Sequence, residues 1–258
     1  MKKISSLVMA SVIAFSCGES KQEAPKNTDW LADNLSGKVE QVTETTYKAD
    51  SSGKAGEQDS CCVVTNKYDA KGYASAFGSV NKAGTENNEG VFSHDDKGLF
   101  TEQKMSKNGK PVSSLTVKNE NGKPVIAQSF DSANKMDFYY TGITTNEYDR
   151  LTAYKQYKPD STLKSSAEMT YDKYLFKGQT TKDSVGKETY SNTVKLDDKN
   201  NVVEVTSKEV TKDSTINKTV KYTYDSFDDK GNWTQRTEID EKGKPAKISK
   251  RTITYYKE

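Results

Sequence analysis

Thr215-Ile216-Asn217-Lys218-Thr219-Val220-Lys221-Tyr222-Thr223-Tyr224-Asp225-Ser226-Phe227-Asp228-Asp229-Lys230-Gly231 carries the local rules of most of the chain. Its first ten residues alternate with the two-residue period of a strand and are rich in Thr, Val and Tyr, which pack well on a pleated surface. Its last four form a turn. An Asp carboxylate accepts hydrogen bonds from its own backbone and Gly tolerates positive φ, so the chain can reverse there.

The same turn signal recurs on both sides of this stretch. It appears at Tyr68-Asp69-Ala70-Lys71-Gly72, His94-Asp95-Asp96-Lys97-Gly98, Tyr148-Asp149, Tyr171-Asp172 and Leu196-Asp197-Asp198, with Asn119-Glu120-Asn121-Gly122 filling the gap after the second. Midway between these lies a second set: Asn108-Gly109-Lys110-Pro111, Asp131-Ser132, Asp160-Ser161, Asp183-Ser184, Asp213-Ser214 and Lys242-Gly243-Lys244-Pro245. Such an internal repeat predicts an all-β fold, an up-and-down antiparallel β-meander of repeated hairpins with about 14 strands. The Tyr-Asp turns fall on one rim and the Asp-Ser and Asn-Gly turns on the other. An open twisted sheet and a curled, barrel-like sheet both satisfy the pattern, although so many strands rarely stay flat. A transmembrane barrel is disfavoured, because the strands show no continuous apolar lipid face and no aromatic girdle.

The start of the chain reads as an address. Lys2 and Lys3 precede a mostly apolar run from Ile4 to Ser16, too short to span a bilayer of about 30 Å as a helix, which marks a signal to be removed. The run ends Ala14-Phe15-Ser16-Cys17, which resembles the lipobox of bacterial lipoproteins, with Phe15 an unusual residue in it. That resemblance implies residues 1–16 as a signal peptide, cleavage before Cys17, and a diacylglycerol on the Cys17 sulfur with an acylated amine. One acyl chain binds a membrane marginally and two or more hold it, so the product stays membrane-anchored. Residues 17–36 are polar, contain Pro25 and lack a long apolar periodicity, so they are expected to be a flexible tether, with residues 37–258 forming one β-repeat domain. Gly18 does not supply the aspartate that retains enteric lipoproteins in the inner membrane. The outer membrane is the expected site, at its periplasmic face or on the cell surface.

Composition limits the partners. The first sixteen residues hold two lysines and no acids, which leaves 37 of the 39 basic side chains against 37 acidic ones. A balanced body argues against nucleic acid as a partner. With only 32% of residues hydrophobic, a thin sheet covered by Tyr, Thr and Lys stems is expected rather than a thick core.

The Tyr-Asp turns are similar to the YD repeats of the RHS and wall-associated protein families over most of residues 60–256. The stretch from Tyr222 through Asp229-Lys230-Gly231-Asn232-Trp233-Thr234 to Arg251-Thr252-Ile253-Thr254-Tyr255-Tyr256 resembles the C-terminal signature of uncharacterised bacterial lipoproteins built from such hairpins. What the resemblance implies is the hairpin architecture. The cargo shell of the large RHS proteins does not carry over, because this chain is too short to enclose an effector.

Catalytic chemistry is sparse. His94, the single histidine, occupies the Tyr position of a repeat turn, and no G-x-S-x-G, P-loop, H-E-x-x-H or C-x-x-C occurs. No catalytic residue, cofactor or metal site is assigned. Cys61 and Cys62 are adjacent on a predicted strand, so alternation points them to opposite faces, with either inert thiols or a redox or intermolecular disulfide as their state. Asp131-Ser132-Ala133 and Asp183-Ser184-Val185 fit a D-S/T-aliphatic O-glycosylation sequon, and Asp160-Ser161-Thr162 and Asp213-Ser214-Thr215 fit its looser form. Ser132, Ser184, Ser161 and Ser214 are therefore candidate glycan acceptors, with simple turn formation as the alternative. Trp233, Tyr139 and Tyr140 are candidate ligand contacts, each either packed or presented as a stacking platform. The function expected is a non-catalytic binding module of the cell envelope contacting a polysaccharide or an envelope protein. Its alternative is a structural envelope component that acts by strand-edge association or self-assembly.

Overall fold

In the computed structural model, residues 27–257 are described. A short helix, α1 (Asp29–Ala32), precedes sixteen strands: β1 (Val39–Ala49), β2 (Ala55–Tyr68), β3 (Ala74–Val80), β4 (Asn87–His94), β5 (Phe100–Lys107), β6 (Lys110–Glu120), β7 (Lys123–Asp131), β8 (Met136–Thr145), β9 (Leu151–Tyr157), β10 (Leu163–Asp172), β11 (Leu175–Asp183), β12 (Glu188–Leu196), β13 (Val202–Val210), β14 (Thr215–Phe227), β15 (Trp233–Ile239) and β16 (Pro245–Tyr255). Each strand pairs antiparallel with its sequence neighbours, and β1 pairs with β16, so the sheet is a closed barrel. The signal peptide and Cys17 lie outside the described residues.

Two turns separate sixteen strands from the expected 14 or so. Asp50 to Gly53 joins β1 to β2 and Asn81 to Gly84 helps join β3 to β4. Neither is preceded by an aromatic residue or Leu, as the Tyr-Asp turns are, yet their chemistry is the same. In nine turns an Asp or Asn accepts the backbone N–H groups two and four residues on, at 2.8–3.1 Å: Asp50, Asp69, Asp95, Asp131, Asn146, Asp183, Asp197, Asp228 and Asp240. The fourth residue of each has positive φ and is Gly, Asn or, at position 149, Asp. This is the turn with an αL residue that closes hairpins through a bulge, and Asx side chains satisfy the N–H groups that no strand partner can reach.

Closure resolves the choice between open and curled sheets. It also leaves no unpaired edge strand in the barrel, which removes the strand-edge association expected as an alternative mode of action.

Residues opposite in register share a face, so one face can be followed around the barrel. Val117, Ala127, Tyr140 and Gln156 lie abreast on it, as do Val194, Val205 and Val220, and Glu44 with Arg251. This is the inner face. The other face carries Lys195, Glu204 and Lys221 abreast, linked by ion pairs of 2.6 and 3.9 Å, with Lys195 71% exposed. Sixteen strands make a ring too wide for side chains to fill, so a lumen remains.

The second half of the stretch read as a tether is docked across one mouth of this lumen. Asp29 and Trp30 donate backbone N–H groups to the Gly72 carbonyl at 2.9 and 3.2 Å, and the Asp29 carboxylate accepts from the Ala74 N–H at 2.7 Å and from Arg150 at 3.1 Å. Asn34 donates to the Lys199 carbonyl and Asn201, while Ser36 and Asn232 exchange hydrogen bonds of 2.7 and 2.9 Å. Residues 27–36 thus bridge turns that lie far apart on the ring. Leu35, Val39, Val42 and Tyr68 form the buried cluster beneath, packed against Trp30, Ile253 and Tyr255. Trp30 fits because Gly72 has φ +95 and no side chain, where a Cβ would lie 2.5 Å from the indole.

Replacing Asp183 by Ala, which leaves the Val185 and Lys187 N–H donors without their acceptor, is expected to lower stability by about 1 kcal/mol. Asp183→Asn should restore most of it, since Asn146 performs the same role. Urea midpoints with unchanged slope provide the check.

Candidate functional site

The inner face is chemically divided. Along β14 to β16 and β1 it is polar and aromatic. Glu44 accepts from Arg236 at 3.0 Å and from Arg251 at 2.9 Å. The Arg251 guanidinium lies 3.5 Å and that of Arg236 4.7 Å from the centroid of the Trp233 ring, and Tyr224 meets that ring edge-on. Cations on an indole face are attracted by its quadrupole, so these groups hold one another in place. Burial raises the Glu44 carboxyl and the two guanidiniums outweigh it, leaving the group below its ordinary value. Asp33 moves the other way, raised chiefly by desolvation although its Oδ2 accepts from the Tyr68 hydroxyl at 2.6 Å.

Along β5 to β9 the inner face is apolar. A cavity of about 390 Å³ is lined by Leu99, Leu115, Val117, Ala127, Tyr140 and Tyr154, with Leu151 and Asp149 where it meets the capped rim. That volume falls in the range of small-molecule sites. A bulge shapes it. Register slips between Thr141 and Thr144, with Gly142 at φ +58, and so Ile143 and Thr145 turn inward to complete the lining. Three polar groups along this wall are paired. Asn119 donates to the Phe100 carbonyl at 3.0 Å, Gln156 donates to the Tyr140 hydroxyl at 3.1 Å, and Asp149 accepts from Asn27 at 3.1 Å. Burial raises the Tyr154 hydroxyl, whose ring packs edge-on against Tyr140.

The expected ligand contacts separate. Trp233 is 7% exposed beneath the two arginines, so it is not a stacking platform for an external sugar. Tyr139 and Tyr140 point to opposite faces. Tyr140 lines the cavity, whereas Tyr139 is on the outer wall stacked on Tyr157 at 5.2 Å. Ser132, Ser161, Ser184 and Ser214 are all exposed and share the rim opposite the docked segment. His94 packs on Tyr73 at 5.1 Å and on Phe100.

Cys61 and Cys62 depart from the expected alternation, their sulfurs lying 2.7 Å apart. Register between β1 and β2 slips from Thr45 opposite Val63 to Tyr47 opposite Gln58, and the extra residues of β2 bulge out, which lets neighbouring side chains converge. Among the described residues no group of three or more His, Cys, Asp or Glu is placed to hold a metal ion.

The cavity lining was missed by sequence reasoning, although the alternation of Leu115 and Val117 with Ser114 and Thr116 marks one apolar face there. Which face closes inward is a property of the ring.

No family model matches the sequence, and no curated protein does. Among solved structures, the fold is similar to a porin-like protein from Bacteroides uniformis, with TM-score 0.52 and 14% identity over 84% of this chain and 98% of that one. A porin-like protein from Bacteroides vulgatus aligns with TM-score 0.43 and 10% identity over 84% and 98% of the two chains. The Photorhabdus luminescens Tc holotoxin pore aligns with TM-score 0.33 and 14% identity over 83% of this chain and 11% of that one. The first comparison agrees with the barrel architecture and speaks to fold alone.

Glu44→Gln leaves two inward guanidiniums without their carboxylate and is expected to destabilise by about 3 kcal/mol at neutral pH. Because the folded Glu44 is depressed below 4.5, its contribution is present above that value and is lost as pH falls through the folded value. The gap between wild type and variant should therefore narrow on acidification, measured as urea midpoints across a pH series. Asp33, being raised, contributes most below 3.8 and loses its share as pH rises, so it cannot mimic this trend.

Proposed function

We propose that this chain is a lipoprotein of the bacterial cell envelope, anchored through lipid on Cys17, whose barrel is a non-catalytic binding module standing in water beside the membrane. One observation carries the reading. The outer wall carries charge near mid-strand, at Lys104, Glu168 and Lys221, while the lumen holds an apolar cavity that meets the rim where the N-terminal segment docks. Each outward Lys at the midplane of a bilayer would cost about 2–4 kcal/mol, so the wall suits water rather than lipid. An interior that is partly apolar suits a ligand taken inside.

This reading is favoured over a structural role by strand pairing, because closure leaves the barrel without a free edge. A polysaccharide or an envelope protein remains a partner for the outer wall, where the Tyr139–Tyr157 stack is half-buried and within reach. The rim bearing Ser132, Ser161, Ser184 and Ser214 is open for O-glycosylation.

Metabolic labelling with an alkyne palmitate tests the anchor. Wild type should incorporate label and sediment with membranes, and Cys17→Ser should lose the label and appear in the soluble envelope fraction. A Cys17→Ser protein that stays integral to the outer membrane would overturn the reading. Intact mass of the envelope-expressed protein, compared with a Ser132→Ala, Ser184→Ala double variant, reads the glycan: equal masses after correction for the substitutions remove those two acceptors.

A further inference from the structure

We propose that the apolar cavity holds one acyl chain of a zwitterionic lipid, with the ammonium of its head group at Asp149. This deepens the binding-module reading and rests on it.

Three features point to that occupant. The cavity runs down the inner wall from Asn119 at the rim to Leu115, about 14 Å at the rise of an extended strand, and its deep surface is made by Leu115, Val117, Ala127, Tyr140, Ile143 and Tyr154. A narrow apolar slot bounded by a packed wall accepts a flexible chain end-on. Asn119 and the Tyr140 hydroxyl already have partners, so the deep part meets a ligand almost entirely with carbon, the Tyr154 hydroxyl being its exception.

Charge then selects the head group. Among the described residues, Asp149 is the one carboxylate lining the cavity, and no Lys or Arg lines it. Arg150 is next in sequence but is turned toward the docked segment, bound to Asp29 and to the carbonyls of Asn27 and Thr28. A fatty-acid carboxylate at this mouth would meet a carboxylate, whereas an ammonium would meet its opposite charge. The site is also positioned to meet lipid. Asn27 is hydrogen-bonded to Asp149, so the nine residues that join it to Cys17 start at the cavity mouth, which places the mouth on the tether side of the barrel.

The ligand is a reversible guest, with no bond made or broken. Burial of a chain in a preformed apolar slot gives a negative heat-capacity change on binding.

The test uses the full chain carrying Cys17→Ser, purified without detergent and titrated calorimetrically with three monomeric amphiphiles of equal chain length. These are a lysophosphatidylethanolamine, an alkyl maltoside and a fatty-acid anion. Saturable one-to-one binding is expected, tightest for the zwitterion and weakest for the anion. Asp149→Asn, well tolerated at positive φ, should weaken the zwitterion about three- to fivefold and leave the maltoside unchanged. Val117→Trp, which fills the slot, should abolish binding of all three. Leu151→Trp, at a residue 37% exposed in the mouth, repeats the blockade where folding is not at stake. No saturable binding overturns the proposal, as does equal affinity for zwitterion and anion or survival of binding in a folded Val117→Trp or Leu151→Trp. Because the protein tested carries no lipid anchor, failure here leaves the Cys17 labelling result intact, and failure of labelling leaves this one intact.

Discussion

Pairing of β1 with β16 turns a ribbon of hairpins into a vessel. Nine registered pairs, from Val39 opposite Tyr255 to Lys48 opposite Lys247, join segments some 200 residues apart. Loop-closure entropy grows only logarithmically with length, so the seam can offset its cost with a few well-made contacts. Glu44 and Arg251 are one of its inward pairs, and Thr46 and Ser249 bond across it at 3.3 Å. The same seam supports Val39 and Val42 in the cluster under the docked segment. Loss of the seam would expose two edges and an apolar inner face together. Seam formation is therefore expected to come late, after local hairpins whose turns are self-sufficient.

Much of this was legible. Every turn with an aromatic or Leu before its Asp was visible, and the assignment of the two turn sets to opposite rims follows from antiparallel order alone. Asp50 and Asn81 escaped, although Asp50-Ser51 carries the same Asp-Ser pair as the second turn set and the turn depends on the Asx carboxamide or carboxylate and not on the residue before it. Closure was illegible for a different reason. Val39–Ala49 and Pro245–Tyr255 look like any other strands, and only the accumulated twist and tilt of the sheet bring them together.

The docked segment was hidden by its brevity. Asp29-Trp30-Leu31-Ala32 has too few residues for a helical period, yet Trp30 and Leu35 are apolar residues that a purely solvated tether would not need. Trp233 shows the converse. Its indole could be placed inside or outside from sequence, and the deciding factor is Arg251, eighteen positions on in the neighbouring strand. Likewise Tyr139 and Tyr140 looked like one aromatic patch until alternation sent one to each face.

Low hydrophobicity and a stable barrel are compatible because the wall is one residue thick. Only its inner face needs covering, and the polar half of that face is covered by ion pairs stacked on aromatic rings. The apolar half has no such internal partners. Filling it with protein would require a larger side chain at a position such as Ala127, which is buried in its lining. Leaving it empty forgoes dispersion contacts along the whole lining. An apolar hollow kept beside a polar, well-paired one is thus a departure from what stability alone favours, and such departures concentrate where a protein binds something else.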